Sequence, residues 1–380
     1  MTRYLSVKIV AMMLVTLIGV NVWYRCCVLS NSSVEVEKPG DPKITTARVR
    51  ESYRTAVPNR LLTTVPTLAK IVTPSGAKTI SGCCHILLYY GLGPTDLPFL
   101  PSGIDALQVL THERDATAAF GRTPFVRTRN GLRYHRLRDP IALHVGVGES
   151  HRDQCLATFA SLGLPLDTPI VLEHGDYTIS DLLSESMANF SFDEKELAWT
   201  AIAYAQYIPP RTRWVNRFDE HTSFSELVLD LMRKDLAHES CMGTHILQAL
   251  VRIENADRAH PILETSTRRE LDRFLTGLLE DAVLHQGGDG SWPLEWCSSI
   301  HDGLIAGLSP LEGRILVSGH LAEIFNGLDD RRRPSGEVCT RVAGWLERSL
   351  TSGELKPDDR LVCPFTHAAG AARDILGRAR

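Results

Sequence analysis

Apolar positions recur every three or four residues along most of this chain, and the stretches that keep that period predict helices. From residue 150 the pattern is regular and falls into pairs: 179–189 with 193–207, 223–237 with 243–254, 267–285 with 317–328, and 335–350 with 365–377. The first member of each pair is amphipathic and charged; the second is shorter and more apolar. Leu197, Thr200, Ala201, Tyr204 and Ala205 make one apolar face, and Ile246, Ala249, Leu250 and Ile253 another. Helix starts are marked by capping-box spacings at Ser191-x-x-Glu194, Ser223-x-x-Glu226 and Thr267-x-x-Glu270, with Asp versions at Ser150-x-x-Asp153 and Thr178-x-x-Asp181. Outer helices that meet water, alternating with inner helices packed on both sides, are what two concentric rings produce. The expected fold is all-α, an α/α toroid or partial toroid of helical hairpins.

Residues 45–150 are less regular. They predict helices over 47–57, 82–90 and 104–117 and one interruption of the helical theme. Strand-forming residues flank Asn130-Gly131, a dipeptide suited to a tight two-residue turn, which predicts a small β-hairpin near 125–147. The arginines from Arg122 to Arg138 make either an anion-binding edge or a solvated edge that protects the hairpin.

The N-terminus has a different pattern. Ile9 to Tyr24 is apolar apart from Thr16, Gly19 and Asn21, and Tyr4 to Val7 extend it to the length of a membrane span, with Trp23 and Tyr24 as interfacial aromatics. The first thirty residues carry Arg3, Lys8 and Arg25 and no acid, which keeps a cytoplasmic N-terminus. The expectation is a signal anchor over 1–28, a polar linker over 29–44, and a mainly helical extracytoplasmic domain over 45–380: a single-pass membrane protein. A cleaved signal peptide ending near Val28-Leu29-Ser30 is the alternative.

Composition adds limits. With 43% hydrophobic and 23% charged residues the chain packs a core. A net charge of -4, and no interleaving of basic with aromatic residues, removes nucleic acid as an expected partner. Nine dispersed cysteines do not form the framework of a small disulfide scaffold; an oxidising compartment would favour one or two bridges of unspecified pairing.

Candidate chemistry gathers on histidine. Four expected inner helices begin with Cys83-Cys84-His85, Cys241-x3-His245, Ser318-Gly319-His320 and Cys363-x3-His367. In an α/α ring the inner helices run parallel, so these ends would meet at one mouth. There the positive end of each helix dipole favours neutral imidazole, the form needed by a general base or a metal ligand. Each histidine alone is better explained by a hydrogen bond within its own first turn; the four together point toward a shared polar pocket. The two Cys-x3-His pairs put thiol and imidazole on one helical face, so that Cys241, His245, Cys363 and His367 would make a four-ligand zinc set; no other cofactor is expected.

The segment His285-Gln286-Gly-Gly-Asp289-Gly290-Ser291-Trp292-Pro-Leu-Glu295-Trp296 bears on fold. Gln286-x3-Gly290-x-Trp292, after the apolar Phe274-Leu275, resembles the QW repeat of squalene–hopene cyclases. The resemblance implies the α/α toroid of terpenoid cyclases and protein prenyltransferases, with Trp292 and Trp296 anchoring a turn that ties layers together. The Asp-x-Asp-Asp acid of the protonating cyclases does not occur, so cyclase chemistry is not implied. Trp296-Cys297 is also similar to the Trp-Cys motif of lanthionine synthetase cyclases, toroids in which zinc is held by two Cys and a His; their Cys-His-Gly tripeptide is missing here.

A long loop from Cys297 to Ser318 brings His301 and Arg314 toward the same mouth and, with Tyr204, His245, His320 and His367, would frame acid–base chemistry. Trp292, Trp296, Arg314 and His85 would serve in binding. Two functions follow: a ligand-binding or scaffold module with a His-lined groove, or an exported lyase or hydrolase, zinc-assisted, acting on a glycan or lipid-linked substrate.

Overall fold

The computed structural model describes residues 79–92, 104–137, 147–194, 196–301, 303, 305, 307–355 and 362–379. The chain divides into two units, Met1–Ile44 and Thr45–Arg380, and every described residue belongs to the second. In chain order the elements are α1 (Ile80–Tyr90), α2 (Ala106–Thr111), α3 (Glu113–Phe120), β1 (Phe125–Arg127), β2 (Leu132–Tyr134), α4 (Gln154–Ser161), β3 (Pro169–Leu172), β4 (Gly175–Thr178), α5 (Ile179–Ala188), α6 (Leu197–Tyr207), β5 (Arg213–Val215) and β6 (His221–Ser223). There follow α7 (Phe224–Arg233), α8 (Thr244–Ala259), α9 (Thr265–Leu284), α10 (Pro310–Gly327), α11 (Gly336–Thr351) and α12 (Val362–Ala379). The fold is mainly helical, with three antiparallel hairpins.

Packing follows amphipathicity. On α9 the buried residues Leu271, Leu275 and Leu279 lie four apart, a single stripe with water on the other faces. On α6 every residue from Leu197 to Ala205 is buried, as expected of a helix packed all round. The more deeply buried helices touch in series: α1 on α4, α4 on α6, α6 on α8, α8 on α10, α10 on α12, and α12 back on α1. The striped helices lie against them, α7 on α8 and α9, and α11 on α10 and α12. Gly319 permits the tightest of these approaches, because a Cβ there would stand 2.7 Å from the backbone N of Ala368 on α12.

Several expectations change. Among the described residues no helix is long and apolar enough to cross a membrane, and this overturns the expected single-pass membrane protein with an extracytoplasmic domain. The stretch read as the anchor, and the helix expected over 47–57, lie outside the described residues. The 104–117 helix is two helices broken at His112, whose extended backbone bridges Val171. The hairpin at Asn130-Gly131 forms with Phe125 opposite Tyr134, but the hairpins β3–β4 and β5–β6 carried no dipeptide signal. Capping boxes form at Ser223 and Thr178. Ser191 caps no helix, since Glu194 turns instead to Arg152 and Arg136 and α6 starts at Leu197. Thr267 lies inside α9, which starts at Thr265, and Asp153 precedes α4 without a side-chain cap. The largest shift is at α10: Ser309, Pro310 and Glu312 build a capping box with proline in the first turn, so the helix starts seven residues before the expected 317. All seven described cysteines are free thiols.

Just before α4, Glu149 is buried and accepts the Cys155 N–H at 2.7 Å. Burial, then the charge of Asp153, pushes its carboxyl up to about 7 from an ordinary 4.5. A raised carboxyl pKa favours the folded, protonated form, so this contribution is complete below pH 4.5 and is lost as pH rises through 7. The loss amounts to about 3 kcal/mol. Denaturant titrations at pH 5 and pH 8 should show it, and Glu149→Gln should flatten the difference while leaving the fold intact; an unchanged pH slope would contradict it.

Candidate metal centre

The six helices that touch in series bring histidine and cysteine together. His85 sits on α1, Cys241 and His245 at the start of α8, His320 on α10, and Cys363 and His367 in the first turns of α12. Two compact groups result: Cys241, His245 and His320, and His85, Cys363 and His367. Within each, the candidate ligand atoms all lie within 4.8 Å of one another. The groups adjoin, with Cys241 Sγ 4.0 Å from Cys363 Sγ, and His320 Nε2 3.9 Å from Cys363 Sγ and 3.1 Å from His245 Nε2. The His320 and His367 ring centroids are 4.0 Å apart, a direct consequence of the close α10–α12 approach at Gly319. These clusters have the donor set and the spacing to hold a metal ion.

Backbone and side chains around the rings fix which nitrogen faces inward. His320 Nδ1–H donates to the Leu316 carbonyl at 2.8 Å, and His367 Nδ1–H donates to the Glu323 carboxylate. Both leave an Nε2 lone pair for the cluster. His367 Nε2, His245 Nδ1 and His85 Nδ1 are buried without a hydrogen-bond partner. An unpaired buried polar group costs about 1–3 kcal/mol, so three at one place need an explanation in what the site binds. The four expected rings are at most 5% exposed.

Cys241 is held in an unusual backbone. Cys241, Met242 and Gly243 have φ of 53°, 56° and 73°, three consecutive left-handed residues. Non-glycine residues there carry strain of about 1–3 kcal/mol each, which persists only when surroundings impose it. Trp296 does so: its indole N–H donates to the Met242 carbonyl at 2.8 Å.

The electrostatics divide the thiols. Cys241 is held well below the usual thiol range, first by the hydrogen bond from Cys363 and then by His245 and His320, while Cys363, the donor, is held well above it. Burial lowers the pKa of His85 and, despite the neighbouring Cys241, of His245. Glu323 resists burial because His367 faces it, and its carboxyl is pushed down to about 2.

Three residues that sequence reading missed complete the site. His151 lies before α4, its ring stacked on Trp199 at 5.7 Å and edge-on to His245 at 5.5 Å. Its Nδ1–H donates to Glu196, which also accepts from Ser240. Burial opposes its charge, yet Glu196 raises the His151 pKa above the ordinary value. Glu196 and Trp199 fall within the helix expected over 193–207, but nothing in the local spacing of His151 or Glu196 points at the cluster.

Other expected site residues go elsewhere. Tyr204 hydrogen-bonds Ser186 at 3.0 Å, in a network with Asp153 and Thr200. Its phenol is structural because α6 turns that face toward α5 and Trp214. His301 is exposed, whereas the cluster is buried. Arg314 pairs with Asp289 and lies over Trp345 at 5.1 Å, drawn outward by the turn after α9. Trp292 donates to Ala282 at 2.6 Å and packs on Phe325, and Gln286 donates to Val338 at 3.1 Å, so this motif ties α9 to α10 and α11. His320 lies in the middle of α10, away from its dipole, and faces the cluster through packing alone.

Comparison with family models, with curated proteins and with solved structures finds no match.

Proposed function

We propose that this domain is an α/α toroid whose inner helices carry a zinc-dependent catalytic centre, and that it hydrolyses or eliminates on a polar substrate such as a glycan. The observation that carries this reading is the Cys241–His245–His320 group, a thiolate and two imidazoles backed by a fixed hydrogen bond at His320 Nδ1. Three soft protein ligands with one position left over is the pattern of catalytic rather than structural zinc. The series of contacts that returns from α12 to α1 supports the toroid. Zinc bound there would polarise a substrate oxygen or lower the pKa of a water. His151 is the proton-transferring group. Glu196 holds its Nδ1–H, so its Nε2 is the acceptor, and its side chain keeps 17% exposure where the other rings are closed off. Burial of those other rings gives less support to an open, His-lined scaffold groove.

The test is metal analysis joined to a substrate panel. The full chain purified from zinc-supplemented cells should carry zinc, and Cys241→Ser with His320→Ala should lose the zinc held by the Cys241–His245–His320 group. Against p-nitrophenyl glycosides and esters, His151→Gln should retain the metal and lose turnover by about 100-fold or more. A metal-free wild-type protein would end the proposal.

A further inference from the structure

Two groups of the same make-up stand side by side, and we infer that the centre binds two metal ions, the second on His85, Cys363 and His367. This rests on the zinc reading above and extends it. Each group is built in the same way. A Cys-x3-His pair from the start of one helix, Cys241 in the turn before α8 with His245 in its first turn, or Cys363 and His367 on α12, is joined by one histidine from the next helix in the series of contacts, His320 on α10 or His85 on α1. The repeat in sequence spacing is thus also a repeat in space.

The second group has the features of a ligand set in its own right. His367 is backed by Glu323 through Nδ1–H, the carboxylate–histidine arrangement that fixes the tautomer of a metal ligand and raises its basicity. Its Nε2 is buried and has no partner. His85 is contacted by the Gln154 amide at 3.4 Å through Nε2, and its Nδ1 is also buried without a partner. A single ion in the first group would leave those two nitrogens unsatisfied. Cys363 Sγ lies 4.0 Å from Cys241 Sγ, so the two groups adjoin and ions held in them would be neighbours, as in two-metal centres. Charge agrees as well: two thiolates with Glu196 and Glu323 supply four negative charges for two divalent cations. Soft thiolate and imidazole donors select zinc, or cobalt as its stand-in, over magnesium or calcium.

Elemental analysis and cobalt titration of the full chain give the test. Two equivalents per chain are expected, with magnetic coupling between paired cobalt ions. His367→Gln, and independently His85→Ala, should retain one equivalent and the cobalt–thiolate absorption of Cys241. Glu323→Gln, which keeps every ligand, should weaken the second equivalent by about 10–100-fold and leave the first unchanged. Circular dichroism checks that each variant folds. One equivalent in wild type, unaffected by these three changes, overturns the second site and leaves the zinc proposal standing. No bound metal overturns both.

Discussion

Stripping metal from the purified chain with a chelator should lower its stability by about 4 kcal/mol relative to protein held at a thousand times the dissociation constant of its zinc. The physical reason is local. Without metal, His85, His245 and His367 each keep a ring nitrogen buried and unpaired, and the strained Cys241-Met242-Gly243 turn has only the weak thiol hydrogen bond from Cys363 at its thiolate to repay it. With metal in both groups, those lone pairs and the thiolate become ligands. For a domain of this size the difference corresponds to a fall in midpoint of roughly 6 °C. Paired thermal scans at fixed rate, with zinc and with chelator, read it directly. In His320→Ala the gap between the two scans should shrink, since the first ion has lost a ligand. A wild-type midpoint indifferent to chelator would mean that the unpaired nitrogens have another partner.

Trp296→Ala should cost about 3–5 kcal/mol and weaken metal binding as well. Trp296 is fully buried, so truncation leaves a cavity the size of an indole. It also frees the Met242 carbonyl, the one tie between this side chain and the left-handed run that presents Cys241. Trp292→Ala is the matched control. It removes an equally buried ring and a bond to Ala282, but its contacts are with α9 and Phe325, away from Cys241. Denaturation should show similar losses for the two variants, while zinc competition with a chromophoric chelator should show a weaker site for Trp296→Ala alone. Equal affinities would assign Trp296 to the core only.

The sequence carried some of this and not the rest, for reasons visible in single elements. Gln286 and Trp292 were readable as a tie between layers because the motif is local: a turn forced by Gly290, whose φ is +97°, with both side chains within six residues. The start of α10 lies earlier than the apolar period shows, because the mixed polar, glycine and apolar stretch after Cys297 reads as loop until Ser309-Pro310-x-Glu312 is taken as a start signal. Glu194 satisfied the capping-box spacing and was claimed by Arg152, a residue 42 positions away whose proximity no local pattern records.

What the sequence determined by itself was the helical period, the Asn130-Gly131 hairpin, and the Cys-x3-His spacing of Cys363 and His367 within α12, whereas Cys241 lies in the turn before α8 and not on its face. A period says which side of a helix is apolar; it does not say which helix lies opposite. Tertiary structure decided that α12 returns to α1, that Gly319 lets α10 and α12 approach until His320 and His367 meet, and that His151 with Glu196 joins them. It also withdrew Tyr204, Arg314 and His301 from the site. Those outcomes depend on close packing between residues far apart in the chain, where a few tenths of an ångström at one glycine settle which side chains touch.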